Sequence, residues 1–285
     1  MTKYYALALI TEYWKPKTDY LTKIVEAVTN RLKNGDFVVV SEKAISTAQG
    51  NIVDENRVQP TITAKLLATF WMPVVWGYFL GVFSRFGIRL LLRLRNYPKE
   101  NGSRHKQVAI EHAGLSQALM FGSEGGIDGS NLPYSFVSLP LQDSQSEADM
   151  IRQRIKQQLN KQVTVVIVDT DKTYSFRNFY FTPRPRPMKG ISSGGGVVSY
   201  AVGRALKLRR RPTPLAVGGL RLKVETALTI ANVADRARGP GSGATVWDMA
   251  ARFKVSSTGV SWEMLEQLKH KPVVIVRKAG SLRQI

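Results

Sequence analysis

Residues 163–170 read Val-Thr-Val-Val-Ile-Val-Asp-Thr, an apolar run that ends in a carboxylate and a hydroxyl group. Five of the six residues Val163–Val168 are valine or isoleucine, and this composition favours a buried strand. Asp169 and Thr170 then follow a rigid element, at the place where α/β architectures commonly bind their ligands. Asp-Thr pairs are common, so this segment by itself predicts a strand more firmly than it predicts a site.

Polar groups also follow a second apolar run, Phe37–Val40, which reads as another buried strand. The run closes with Glu42 and Lys43 after Ser41. A lysine at a strand end can reach a phosphate as a point charge, although such a lysine is usually only solvated.

A third segment, Gly125–Asn131, places Asp128 between glycines and next to Ser130. Glycines allow the backbone to approach a ligand closely, but an Asx-type turn without a ligand explains the segment equally well. Two isolated carboxylate sites in a basic chain, with basic loops nearby, favour a divalent metal that bridges phosphates.

The composition limits the possible sites and partners. The chain has 285 residues, 44% of them hydrophobic, which is enough for one large domain or two. It has no cysteine, and its three histidines are far apart in the sequence, so we expect any metal to have oxygen ligands, as Mg²⁺ or Mn²⁺ does. The formal charge of +20 attracts nucleotides, acidic metabolites, nucleic acid or anionic lipid without selecting among them.

Predicted helices and strands alternate along the chain without a tandem repeat. Apolar spacing and stop signals predict helices over 19–33, 148–159 and 225–238. Residues 182–196 form a Pro- and Gly-rich basic loop that includes Arg184, and such a loop either covers a phosphate or is a plain surface linker.

Residues 66–83 form a stretch of 18 residues without a charge, at the lower limit of a membrane span. Length alone leaves open a membrane-dipping segment and a buried or subunit-interface hairpin. Arg85, Arg89 and Arg93 recur every four residues, so on a helix they form a basic stripe that suits an anionic membrane surface or a solvated face. The first residues lack a secretory signal pattern, so we expect a cytoplasmic protein, with membrane association as an alternative.

Several segments resemble, in order along the chain, the coenzyme F420 gamma-glutamyl ligases of the CofE type. They are Gly35–Gly50, Gly126–Asn131, Val165–Thr170 with Arg177, and Ala234–Ala237. Collinear similarity over about 200 residues is more specific than any one motif, although it does not extend to residues 66–95.

The resemblance implies an α+β fold with mixed sheets and two domains. Residues 1–95 would contact nucleotide and carry the apolar insertion, and residues 96–285 would carry the metal site. The implied activity uses GTP and Mg²⁺ or Mn²⁺ to convert a substrate carboxylate into an acyl phosphate, which the amine of L-glutamate attacks to form an amide. A homodimer is implied as well.

The family's site residues carry over by position. The implied metal ligands are Asp128, Asp169 and Thr170, the nucleotide contacts are Glu42, Lys43, Thr47 and Asn131, and the candidate cation for phosphate or substrate is Arg177. Thr47 stands where the family pattern has a lysine. An acidic segment of the family is replaced here, and only Glu225 remains as a further candidate metal ligand.

Two functions stay open at this point. The first is a ligase that acts on a small acidic substrate and L-glutamate. The second is a catalytically reduced relative that binds an anionic membrane or another polyanion through its basic surface and residues 66–95. A nucleic-acid-binding module is less favoured, because no recognisable nucleic-acid-binding motif is present.

Overall fold

The computed structural model describes residues 2–122, 124–243 and 245–280. The strands are β1 (Tyr4–Thr11), β2 (Phe37–Ser41), β3 (Ile52–Asp54), β4 (Phe136–Ser138), β5 (Thr164–Phe176), β6 (Phe179–Thr182), β7 (Ser192–Ser193), β8 (Arg209–Gly218) and β9 (His270–Lys278). The α-helices are α1 (Tyr20–Val28), α2 (Glu42–Ala48), α3 (Ile62–Leu66), α4 (Gly81–Phe83), α5 (Ile88–Arg95), α6 (Lys99–Ala113), α7 (Leu115–Ala118), α8 (Ser144–Leu159), α9 (Val197–Ala205), α10 (Val224–Arg238), α11 (Val246–Phe253) and α12 (Trp262–Glu266). A 3-10 turn at Glu55–Arg57 and a π-helical segment at Leu67–Leu80 are also present.

A seven-stranded mixed sheet forms the centre of the fold. Its strand order is β1-β9-β2-β5-β6-β7, and β8 pairs with β5 as well. β2 and β5 run parallel, whereas β1–β9, β2–β9 and β5–β8 are antiparallel pairs. The predicted α+β class with mixed sheets is therefore confirmed. Strands from both predicted parts, residues 1–95 and 96–285, share this sheet.

Helices cover both faces of the sheet. Val165 and Ile167 of β5 pack in one apolar cluster with α1 and α8, and Val166 and Val168 pack in another with α10. Because both faces are buried, the strand has no polar alternation, which explains the continuous apolar run in the sequence.

Strand β5 is longer than the sequence predicts. It continues to Phe176, so Asp169 and Thr170 lie within the strand and not after its end. β8 pairs with β5 from Val165 to Ser175, and this partner supports the polar second half of the strand.

Residues Ile62–Phe83 form one continuous helix, in which α3, the π-helical segment and α4 follow one another. By length and composition only, it is the one helix in the described ranges that could cross a membrane, and 33% of its apolar window is buried. Met72 and Trp76 are fully buried and pack with Leu91 and Leu94 of α5. The segment is therefore a helical hairpin with one buried side and one exposed side.

Candidate active site

The parallel pairing of β2 and β5 brings two of the predicted segments together. Ser41, at the carboxyl end of β2, lies opposite Val168, so α2 begins beside Asp169. Lys43, Asp169 and Thr170 all line a single cavity of about 740 Å³. This is the edge of parallel strands at which the sequence predicts ligand binding.

A bulge in β5 shapes this wall of the cavity. The register with β8 shifts between Asp169 and Lys172, so Thr170 and Asp171 interrupt the ladder. Bulges next to binding sites re-aim side chains. Here Asp169 and Asp171 are buried in the cavity wall, and Thr170 is exposed.

The Gly125–Asn131 loop brings Asp128 into the same cavity. Ser138 of β4 donates its backbone N–H to Asp128 O at 3.1 Å, and the Asp128 carboxylate accepts a 2.7 Å hydrogen bond from the Ser130 backbone. Lys43 Nζ donates to the same carboxylate, and also to the Ser130 carbonyl at 3.0 Å and hydroxyl at 2.9 Å. A protein cation thus already neutralises Asp128, one of the predicted metal-binding carboxylates.

A buried guanidinium holds the other carboxylate. Arg184 is 2% exposed, and its Nε lies 2.9 Å from Asp169 Oδ2 while its Nη2 donates to Glu42 Oε1. Burial raises the pKa of Glu42 to about 7, with Asp169 adding to the rise and Arg184 opposing it. Glu42, predicted to contact nucleotide, therefore lies behind the cavity wall and acts through Arg184 on Asp169.

Gly126 makes room for this arrangement. Its φ is +100°, and a Cβ at this position would lie 1.9 Å from Arg184 Nη1. The glycine before Asp128 is thus required by the close approach of a buried arginine, as well as by the backbone conformation.

Thr47 and Asn131 both line the cavity, and their polar atoms also bind within the protein. Thr47 Oγ1 donates to Lys43 O at 2.8 Å, which ties the first turn of α2 to the next. Asn131 Oδ1 accepts from the Ser242 backbone at 2.7 Å and from its hydroxyl at 2.6 Å. Asn131 thereby joins its loop to the glycine-rich segment 239–243.

Arg238 is a cation that the motifs do not indicate. It lies at the end of α10 and lines the cavity, and its Nε and Nη2 atoms are buried without a hydrogen-bond partner among the described residues. Burial lowers the pKa of Arg238, against the attraction of Asp235 and Asp169. Eight lysines and arginines but only six aspartates and glutamates line the cavity, so its electrostatics favour an anionic ligand.

A second polar cluster lies at another part of the cavity wall. His105 Nδ1 is 2.5 Å from Glu55 and its Nε2 is 2.9 Å from Glu124, which Lys106 also contacts at 2.6 Å. Burial alone would lower the pKa of His105, but the charges of Glu55 and Glu124 outweigh it and raise the pKa to about 10. Burial favours a higher pKa for Glu124, yet Lys106 and His105 lower it to about 2. The four charges balance. No local motif reveals the cluster, because α6 supplies His105 and Lys106 while Glu55 and Glu124 come from a 3-10 turn and a loop.

Two predicted site residues lie away from this cavity. Arg177 is in the exposed turn after β5, with its guanidinium 5.8 Å from the Phe176 ring centre. Glu225 is in the first turn of α10, where a hydrogen bond from Arg211 lowers its pKa. Neither residue lines the cavity, so the geometry gives no support to a catalytic Arg177 or a metal-binding Glu225.

The remaining donors suit a metal that arrives with its substrate. In the described ranges, no cluster of three or more His, Asp or Glu side chains is placed to hold a metal ion. Asp128, Asp169 and Thr170 nevertheless present hard oxygen donors to one cavity. Mg²⁺ commonly binds through one or two carboxylates and completes its shell with waters and substrate phosphates, so this donor set fits such an ion.

Comparison with known proteins gives a consistent result. The family model for F420-0:gamma-glutamyl ligases matches residues 9–209. An uncharacterized protein of Methanocaldococcus jannaschii is 35% identical over 285 residues, a match that covers 95% of this chain and 96% of that protein.

Proposed function

This chain belongs to the F420-0:gamma-glutamyl ligase family, and on that premise we propose that it is a nucleotide- and divalent-metal-dependent amide-forming ligase. Its substrates are a small acidic molecule and L-glutamate. The observation that carries the proposal is the convergence of Lys43, Asp128 and Asp169 on one cavity from three separate segments. These are the segments that match the family pattern in order along the chain.

The reaction has two balanced steps. The substrate carboxylate attacks the terminal phosphorus of GTP, which gives an acyl phosphate and GDP. The amine of L-glutamate then attacks the acyl carbon, loses a proton and displaces inorganic phosphate. Both steps involve dense negative charge, so catalysis depends on cations and on positioning more than on a protein nucleophile.

Asp128, Asp169 and the Thr170 hydroxyl would hold the metal. When bound, Mg²⁺ or Mn²⁺ would supply positive charge next to the transferred phosphoryl group. Lys43 is the protein's own cation for the phosphates, because its ammonium group lies in the cavity and has flexible reach. Arg184, which is buried, keeps Asp169 oriented and does not itself line the cavity.

Arg238 is assigned to an anionic end of the substrate. Its Nε and Nη2 atoms are buried without hydrogen-bond partners among the described residues, so an incoming carboxylate or phosphate would accept hydrogen bonds that these donors do not make within the protein. It takes the place that the sequence comparison gave to Arg177.

A binding and turnover assay tests the proposal. We expect GTP to bind in the presence of Mn²⁺ or Mg²⁺, and F420-0 with L-glutamate, the first pair to try, to give GDP, phosphate and an amide product. Asp169→Asn should abolish turnover, and Arg238→Gln should raise the KM of the acidic substrate. Asp149→Asn, an exposed carboxylate on α8, is the matched control and should behave as the unmodified chain does.

Two results would contradict the proposal. If neither GTP nor ATP binds with either metal, the cavity does not hold a nucleotide and the ligase assignment is wrong. If nucleotide binds but Asp169→Asn and Asp149→Asn have the same effect, the metal assignment is wrong.

A further inference from the structure

We propose that this protein docks on an anionic lipid bilayer, lying on the membrane and not crossing it. The docking surface consists of the outer side of the helix Ile62–Phe83, α5, and the C-terminal end of α9. This inference is independent of the catalytic site.

The helix presents large apolar side chains to solvent on one side. Phe79 is 66% exposed and Phe83 is 56% exposed, values that are high for phenylalanine in a folded chain. The others on this helix and on α5 are Ile62, Leu66, Phe70, Tyr78, Val82, Ile88 and Leu92. A contiguous apolar surface of this kind marks an interaction site.

The opposite side of the same helix is fixed to the protein. Ala68, Met72 and Trp76 are fully buried, and the indole N–H groups of Trp71 and Trp76 both donate to Leu119 O, at 2.8 and 2.7 Å. A helix held in this way cannot leave the fold to span a bilayer without exposing that packing. Only its outer side is available, which is the arrangement of an interfacial helix.

Helix α9 extends the surface. Arg85 Nε donates to Ala205 O at 3.2 Å, and Arg204 Nε donates to Ser84 O at 3.2 Å, so the end of α9 adjoins the turn after the long helix. Val202 and Leu206 are exposed at this end of α9, and Val198 is exposed four residues earlier, in the first turn of the helix. Two elements distant in sequence thus contribute to one face.

The positive charge on this face favours an anionic partner. Residues 56–99 contain no aspartate or glutamate, and neither do residues 172–224, which include α9. Arg85, Arg89 and Lys207 are exposed among the apolar side chains, and Arg93 is paired at the edge with Asp248. Apolar insertion combined with basic residues is the composition of a surface that binds anionic lipid.

A second copy of the chain is a poorer occupant of this face. A two-fold symmetric contact through this face would bring the exposed arginines of both copies into one interface. Such a contact would be opposed by like charges that an anionic bilayer would instead neutralise.

The docking surface is continuous with the wall of the catalytic cavity. Tyr200 of α9 lines the cavity and packs edge to face on Trp76, with ring centres 5.7 Å apart. Docking would therefore bring one end of the cavity close to the membrane.

Vesicle flotation tests the inference with the full chain. The probes are vesicles of phosphatidylcholine and phosphatidylglycerol in equal amounts, and vesicles of phosphatidylcholine alone. We expect salt-sensitive binding to the first and little to the second. Phe79→Ser with Phe83→Ser should weaken binding at least about tenfold, and Arg85→Gln with Arg89→Gln should weaken it about fivefold for each arginine.

Matched controls distinguish docking through this surface from nonspecific binding to the vesicles. Tyr5→Ser with Ile10→Ser removes equally exposed apolar groups from β1, and Lys33→Gln with Lys156→Gln removes exposed positive charge elsewhere. Both controls should bind as the unmodified chain does, and circular dichroism melts should confirm that every variant folds.

Three outcomes would overturn the proposal. The chain could fail to float with anionic vesicles. The control pairs could weaken binding as much as the surface pairs, which would show charge attraction without a defined face. Light scattering could show a dimer that Phe79→Ser with Phe83→Ser dissociates, together with no vesicle binding, which would assign this face to a second copy.

Discussion

Replacing Lys43 with methionine should change metal affinity and nucleotide affinity in opposite directions. Lys43 Nζ is bound to the Asp128 carboxylate, so a divalent ion at Asp128 must displace the ammonium group. Without Lys43, the carboxylate still accepts hydrogen bonds from the Ser130 backbone at 2.7 Å and hydroxyl at 3.0 Å, which keep it in place. In the variant, the Asp128 carboxylate therefore stays in position but no longer pairs with an ammonium group.

The magnitude follows from the kind of contact that is lost. A hydrogen bond to a charged group is worth about 1.5–3 kcal/mol. The Lys43 and Asp128 side chains are 19% and 21% exposed, so solvent screening places the pair near the lower end, at about 1.5 kcal/mol. Removing this competition should raise Mn²⁺ affinity about tenfold in the absence of nucleotide. GTP affinity at saturating Mn²⁺ should fall by about 1.5–3 kcal/mol, because the phosphates lose a cation.

Calorimetry with Mn²⁺ and then with GTP measures both changes. Lys172→Met is the matched control, since Lys172 lines the same cavity but lies 3.4 Å from Asp235. It removes the same charge without freeing Asp128, so any general effect of charge will appear in both variants. If Lys43→Met lowers Mn²⁺ affinity, or changes it no more than Lys172→Met does, then Asp128 is not a metal ligand and the argument is refuted.

Two further predictions concern the cavity wall. Gly126→Ala should destabilise the fold by at least about 2 kcal/mol and weaken Mn²⁺ binding, because the new Cβ collides with Arg184. Gly35→Ala also has positive φ but meets no atom within 4 Å, so a thermal melt in which both variants lose the same stability would contradict this reasoning. The pKa of His105 is raised from 6.5 to about 10, so its protonation stabilises the fold fully below about pH 6.5, and this stability is lost as the pH rises through 10. Urea unfolding across this range should be less pH-dependent in His105→Gln, and a slope equal to that of the exposed-site control His112→Gln would count against the ion cluster.

The β-branched runs made the centre of the sheet predictable from sequence. Val163–Val168 and Phe37–Val40 are buried on both faces, and such strands are marked by composition alone. The second half of β5 carries polar residues, so its composition does not predict a strand. It is a strand because β8 pairs with it along its length, and a partner more than 30 residues away leaves no local signal.

The cations of the candidate site also differ in how far the sequence predicts their positions. The sequence singles out Lys43 because it follows a strand at an edge where ligands commonly bind, and in the structure Lys43 lines the cavity. Arg184 lies in a Pro- and Gly-rich loop that reads as flexible surface, yet the structure buries its guanidinium between Glu42 and Asp169. Composition describes the backbone of such a loop but not where one long side chain from it will pack. Arg177, which the family pattern indicates, lies in the exposed turn after β5 and does not line the cavity.

The burial of the two cations gives them different roles. Asp128 and Asp169 face one cavity, where two negative charges would repel each other, and each is neutralised by one positive side chain. Lys43 remains partly open to solvent, so a metal ion can displace it at modest cost. Arg184 is nearly inaccessible and also holds Glu42, so removing it would leave two buried carboxylates without their shared cation. If the proposed function holds, the Asp128 side of the site would exchange its lysine for a metal ion, while the Asp169 side would keep its shape.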